Sequence, residues 1–526
     1  MTQTGNLEGA MPAFTTETEC RRWLASQPLA NAAHLQGALL DQLNRLRHFA
    51  MAPGERFRIL ERLRASLHFS QNEAARQFSG RPLPLAPAEE TALAGTLSIW
   101  RHLGANYVLC LEGCLDGDAS VVTESGAVVQ RTLATIVAEQ FDLYRAQRQI
   151  PADLWRRLHA TYLAAEQLGV TECVVPDPLH ADQAQSTPRA TYALSALLQA
   201  ASLYELTARQ QSQVRRWLQL WSRKIMVSTT APAGKNTSLL IADLDADEPP
   251  SRQPPAGGNL RWIDAAELRR SIKKRIIALR GGMEPERLNL GADAVMPDCE
   301  QLLLHVYRHT RSRAVRREHG RFGVSGQLEL TAGLDAIHAL LAGHRSSRPA
   351  ARGAEAPEPE VTRSPILPTS AAAPGQEHLA SIWQVVDDSP GGLRVRRTPQ
   401  ELDKRLRIGQ LVAVRSGAGH GISLGTVQWL QETGGGEIEC GVGLMPGLAR
   451  AVAIRDAAHP VGEPYRQALM LPGVPRLDAR ETLLLPCSWY QEGRKLEVFA
   501  GGRLPVKLTA SVCQGPDHEQ VEFQRL

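Results

Sequence analysis

Catalytic signatures are missing from this sequence. Its 526 residues contain no His-Glu-x-x-His, and their one Gly-x-Ser-x-Gly, Gly421–Gly425, runs straight into a β-type stretch rather than a helix. Neither a metal-activated water nor a serine elbow is therefore on offer, and the chain does not read as an enzyme. Cysteine is sparse: eight residues and no Cys-x-x-Cys. Cys110 and Cys114 stand four apart, but two thiols without histidine partners read as core residues rather than a metal site. That usage fits a reducing compartment. There is no basic-then-apolar leader and no long uncharged apolar run, so the expected location is the cytoplasm, with no membrane span. The net charge is only +4, too small for a dedicated nucleic-acid binder, and no nucleic-acid partner is expected.

What is present is ordinary globular text. Hydrophobic residues make up 43% and charged residues 22%, enough to build a packed core. The length suits about three domains. Residues 1–15 read as a frayed tail. From Glu17 to Met226 the spacing is helical: Leu35, Leu39, Leu43 and Leu46 share a face, as do Phe57, Leu60, Leu63 and Leu67. Thr207 reads as an N-cap. Trp155-x-x-Leu158-x-x-x-Tyr162 echoes a tetratricopeptide helix without the 34-residue recurrence, so it reads as an aromatic packing stripe. The expectation for 1–232 is a helical bundle or solenoid acting as a scaffold for a protein partner.

Residues 233–304 read as a mixed connecting region. Asp243 to Glu248 alternates acids like a calcium loop, but Glu248 stands where that loop needs Gly and Pro254 where it needs Glu. Gly234-Lys235-Asn236 fails as a phosphate loop for want of an upstream Gly. A basic helix, Asp264 to Leu279, carries Arg269, Arg270, Lys273, Lys274 and Arg275. It reads as a solvated face, or as a surface for an acidic partner.

From Gly326 the text turns to short β runs: GQLEL, then Leu411–Arg415, Leu424–Leu430, Ile438–Leu444 and Ala451–Arg455. This spacing predicts a small antiparallel barrel over 305–460. Leu334–Leu341 reads as a helix. A Pro/Ala/Ser-rich insert, about 345–376, reads as disordered. Further β runs in 461–526 extend the barrel or form a second β unit. The fold class is thus multidomain α+β, all-α first and β-barrel last.

Within this β text, Ile382–Arg397 (IWQVVDDSPGGLRVRR) is a hairpin pattern: two β runs around Asp387–Gly392, each turn residue with its own reason to bend. Asp387-x-Ser389-x-x-Gly392 puts an acceptor, a hydroxyl and bare backbone on one corner. Arg394, Arg396 and Arg397 follow. This resembles the D/N-x-S-x-x-G motif of PilZ domains, bacterial receptors for cyclic di-GMP. Those domains also carry R-x-x-x-R upstream. Here Arg313/Arg317 and Arg317/Arg321 both fit the spacing. The resemblance covers about Tyr307 to Asp456, and the insert sets the two motifs further apart than is usual.

The resemblance implies cyclic di-GMP as the ligand, with no metal and no other cofactor. Arg313 and Arg317 would clamp phosphate and guanine, since arginine bonds phosphate bidentately and stacks on purines. Asp387 and Ser389 would meet a guanine edge or the ligand backbone, and Gly392 would shape the turn. Arg316, Arg321, Arg394 and Arg396 are secondary candidates. The function implied is an effector that relays second-messenger level in motility, pilus, attachment or polysaccharide control. The alternative is a scaffold whose barrel no longer binds nucleotide.

Overall fold

The computed structural model describes residues 11–28, 31–179, 185–232, 239–253, 257–310, 326–346, 380–389, 391–398, 404–415, 421–458 and 464–526. The chain divides into two compact units: Met1–Arg81 with Leu85–Arg316, and Pro82–Pro84 with Arg317–Leu526.

The first unit is built on helices α1 (Glu17–Ser26), α2 (Ala32–His48), α3 (Pro53–Phe78), α4 (Pro87–Leu115), α5 (Ser125–Arg145), α6 (Ala152–Gln167), α7 (Pro188–Ala200), α8 (Ala208–Trp221), α9 (Ala266–Arg280) and α10 (Asp298–His309). Their starts follow local chemistry. Proline opens α3, α4 and α7, where its missing N–H costs nothing. Thr16, Thr187 and Thr207 accept from backbone N–H groups at the starts of α1, α7 and α8. Helix α5 is buried along most of its length and packs against α4, α6 and α7. The arrangement is therefore a bundle around α5, not a row of nearest-neighbour pairs.

Two expectations about this unit are corrected. The N-terminal stretch is not all tail: Phe14 is buried against Trp23, ring centroids 5.2 Å apart, and Ala13 N donates to Gln42 Oε1 at 2.7 Å. One aromatic suffices to pin a short segment to a core. Nor is the region after 232 a mere connection. After a two-residue pair, β1 (Val175–Pro176) and β2 (Gln185–Ser186), come β3 (Met226–Ser228), β4 (Leu239–Asp243) and β5 (Leu260–Asp264). These last three form an antiparallel sheet in the order β3-β5-β4. Ile263, Leu268, Ile272, Leu302 and Val306 join the same hydrophobic core as the helices.

The acidic loop after β4 is a turn. Asp243 Oδ1 accepts from Asp245 N and Asn259 N, and Asp247 pairs with Arg156. On α9, Arg269 lies over Tyr307 and Arg275 over Trp221, while Arg270, Lys273 and Lys274 face solvent.

The second unit contains β6 (Gly326–Ala332), α11 (Leu334–Ser346), β7 (Ala380–Ser389), β8 (Gly392–Arg397), β9 (Leu411–Arg415), β10 (Ser423–Glu432), β11 (Ile438–Leu444), β12 (Arg450–Asp456), β13 (Arg466–Leu471), β14 (Thr482–Leu485), β15 (Lys495–Phe499), β16 (Arg503–Gln514) and β17 (Glu519–Arg525). They close into two six-stranded antiparallel barrels, β10-β11-β8-β7-β6-β9 and β12-β13-β14-β17-β16-β15. Strand β12 was expected in the first barrel. It opens the second instead, paired with β13 and β15. Between β11 and β12 stand Pro446, which has no N–H to donate, and Gly447 at φ +91°. Together they break the ladder.

A shared core sits between the barrels. Leu334 and Ile337 of α11 pack with Leu411, Ala413 and Leu424 of the first barrel and Leu469, Leu471 and Leu484 of the second. His338 Nε2 on α11 also donates to Val452 O on β12 at 3.1 Å. Helix α11 is thus the wedge that both barrels bury. Ile337→Ala is expected to cost about 2–5 kcal/mol and to split the melting of the two barrels into separate transitions. Calorimetry on the full chain checks this; an unsplit profile with an unchanged midpoint would refute the wedge role.

Candidate ligand-binding site

The β7–β8 hairpin is tighter than the sequence suggested. The turn was expected to run from Asp387 to Gly392, yet β7 continues to Ser389, which pairs with Gly392. Asp387 and Ser389 are therefore strand residues near the hairpin tip. A register shift between Val385 and Asp387 marks a bulge, which re-aims the strand there. Ser389 Oγ donates to Gly392 O at 2.9 Å. Gly392 has to be glycine: a Cβ would sit 2.6 Å from Val442 O on β11. The bare backbone is what lets the two strands approach.

On β8, Arg394 and Arg396 share one face because side chains alternate along a strand. Both reach one carboxylate. Arg394 Nη2 lies 2.6 Å from Glu439 Oε2, and Arg396 Nε lies 2.7 Å from Glu439 Oε1. The Glu439 side chain is only 6% exposed, whereas each arginine is 36% exposed. Burial pushes the Glu439 carboxyl up, but the two guanidiniums outweigh it and hold the group below its ordinary value of 4.5.

Backbone pairing puts four positions in one row across four strands: Asp387 opposite Arg394, Arg394 opposite Gly441, and Gly441 opposite Trp429. The Trp429 indole crosses Gly441, where a Cβ would lie 2.0 Å from Nε1. Arg394 stands 5.9 Å from the centre of the indole ring. The row thus presents a carboxylate, a half-exposed guanidinium and a half-buried indole. That is a surface on which a planar base can stack and offer N–H donors to an acid.

Of the residues singled out from the sequence, Asp387, Ser389, Gly392, Arg394 and Arg396 come together on this hairpin. Arg313, Arg316, Arg317 and Arg321 lie outside the described residues. Sequence reading missed Glu439, Gly441 and Trp429. Their only signal is register: Glu439 and Gly441 alternate along β11 opposite Arg396 and Arg394.

A second cationic place lies in the first unit, in a small cleft of about 80 Å³ lined by Arg64, Arg131, Arg145 and Arg215. Most of its charge is met from within. Asp177 and Glu61 pair with Arg64 and Arg131, and Asp142 pairs with Arg145. Arg215 lies over Phe141 at 4.4 Å. This pattern is that of an internal ion network.

Comparison with known proteins bears on both ends of the chain. Residues 18–233 match the family model described as the N-terminal domain of the cyclic-di-GMP receptor FimW. Residues 452–526 match the FimW C-terminal beta-barrel domain. The chain is also 22% identical, over 93% of its length and 86% of the relative's, to the cyclic-di-GMP receptor FimW of Pseudomonas aeruginosa.

The arginine–glutamate knot has a pH signature. Because the folded carboxyl titrates below 4.5, the stability it lends is complete above that pH and is lost as pH falls through the lowered folded value. Glu439→Gln is expected to flatten this acid limb and to destabilise the first barrel by about 1–3 kcal/mol at neutral pH. Urea melts at pH 7 and in the acid range measure both. An acid limb unchanged by the substitution would show that other carboxylates carry it.

Proposed function

We propose that this chain, a member of the FimW receptor family, is a cyclic di-GMP receptor whose first barrel holds the nucleotide. The observation that carries the location is the row Asp387–Arg394–Gly441–Trp429 beside the Ser389–Gly392 corner. Asp387 accepts from guanine N1 and N2. Ser389 meets a guanine edge or the ligand backbone, and Gly392 shapes the close corner. Arg394 and the face of Trp429 flank a base. Arg313 and Arg317 supply phosphate and guanine contacts from the arm that precedes the barrel, with Arg316 and Arg321 as neighbours. Arg396 keeps Arg394 upright through their shared carboxylate.

The reading is of a binding protein rather than a catalyst. Ligand occupancy is relayed to a protein partner through the helical unit, in the cytoplasm, in control of pili, motility, attachment or polysaccharide. Among the described residues no helix is long and apolar enough to cross a membrane. The rival reading is a scaffold whose barrel has lost nucleotide binding, and direct titration separates the two.

Titration calorimetry should show cyclic di-GMP binding near micromolar affinity, about −8 kcal/mol. Cyclic di-AMP should bind poorly, because adenine lacks the N1 and N2 donors that Asp387 accepts from. Arg317→Ala belongs to both possible arginine pairs and should weaken binding about 10- to 100-fold, the worth of a charge-assisted bond. Asp387→Ala should also weaken binding while leaving the melting temperature in place. Trp429→Ala should lose the stacking share, about 1–3 kcal/mol. A folded wild-type chain that gives no heat with about 100 μM ligand would leave the scaffold reading in its place.

A further inference from the structure

We infer that Glu205, His305 and His309 form a binding site for one divalent transition-metal ion, zinc being the best match. One ligand atom from each of the three residues lies within 4.8 Å of the others. His305 and His309 stand one turn apart on α10, so their rings project from the same face, with centroids 4.4 Å apart. Glu205 comes from a short 3-10 turn, Leu203–Glu205, that follows α7.

The hydrogen bonds around the cluster define which atoms face inward. His305 Nε2 lies 2.8 Å from Ala201 O. A carbonyl only accepts, so Nε2 carries the proton. In a neutral ring the lone pair is then on Nδ1, and Nδ1 faces Glu205 Oε2 at 3.8 Å. A lone pair therefore faces a carboxylate oxygen, and the two repel unless a cation or a proton lies between them.

His309 Nε2 stands 3.4 Å from the same oxygen. Both distances exceed the roughly 2.7–2.9 Å of a charge-assisted bond. The other carboxylate oxygen, Oε1, accepts from Ser202 Oγ at 2.7 Å. Each anchor is thus of the kind that orients metal ligands: a histidine fixed through its far nitrogen to a backbone carbonyl, and a carboxylate fixed by a hydroxyl.

The donor set of two imidazoles and one carboxylate suits zinc, with a fourth position left for water. Metal–ligand bonds near 2.0–2.2 Å require only a small inward rotation of these side chains. The three side chains are 17–35% exposed, so an ion can enter. Bound there, it would staple the end of α10 to the turn between α7 and α8.

The test uses the full-length chain stripped with a chelator and titrated with zinc chloride. One zinc per chain should bind at micromolar affinity or tighter, and the melting temperature should rise. Cobalt(II) should give the visible bands of a four-coordinate nitrogen and oxygen site. His309→Gln keeps a donor for Glu205 and so protects the fold, yet should weaken zinc at least about 10-fold, as should His305→Ala. Ser202→Ala, a positioning change, should weaken it less. Absence of zinc binding by the folded chain would overturn the inference. So would stoichiometric binding that survives both histidine changes but is lost on alkylating the exposed Cys173, Cys487 and Cys513.

Discussion

Glu439 sits in the wall of the first barrel, and a carboxylate buried there must be matched by cations. Leaving such a charge unpaired costs several kcal/mol, so the strand beside it supplies two arginines. That pairing has consequences along the row. Arg394, held at Glu439, meets the ring of Trp429. The ring in turn needs Gly441 beneath it, because any side chain there would collide with the indole. Asp387 faces Arg394 from the other side. Remove the carboxylate and Arg394 and Arg396 lose the group that holds both of them. The candidate site thus rests on one buried charge rather than on the hairpin tip alone.

The parts of this fold that were legible in the sequence are those set by neighbours along the chain. Thr207 followed by Gln210 is a capping box in the structure, and that information lies within four residues. The hairpin motif is likewise local, so Asp387, Ser389 and Gly392 were found. Yet its turn was drawn too long, since Asp and Ser are turn formers that a strand accepts when cross-strand partners are in register. Glu439 and Trp429 were missed for the opposite reason. Their importance comes from pairing with residues about forty positions away, and spacing along one strand does not state what lies opposite.

Strand β12 shows the same limit. Nothing in Ala451–Arg455 tells which barrel it joins. The break is written one turn earlier, at Pro446 and Gly447. Strands β9 and β14 were hard to orient because alternation fails in them. Leu411–Val414 and Thr482–Leu485 are buried on both faces. One face lines its own barrel, and the other meets the core shared with α11. A strand covered on both sides reads as a continuous apolar run, so its pattern gave the element without its partner. The region after 232 was underrated similarly: its apolar residues are thinly spread, and only the assembled helices supply the surface they bury against.

Chain order links the two sites of interest. Helix α10 ends at His309, and Arg313, the first of the candidate ligand arginines, follows four positions later in the sequence. A metal ion on His305 and His309 would fix the last turn of α10, which the candidate arginines follow in the sequence. Any change this makes in the ligand affinity of the arm must be matched. By linkage, cyclic di-GMP would alter metal affinity by the same factor and in the same direction. If the arm is ordered at α10 before ligand arrives, less freedom remains to be lost on binding, and the two ligands favour each other. If the arm must leave the end of α10 to reach nucleotide, they oppose each other. The sign of that coupling distinguishes an arm held ready from one held back.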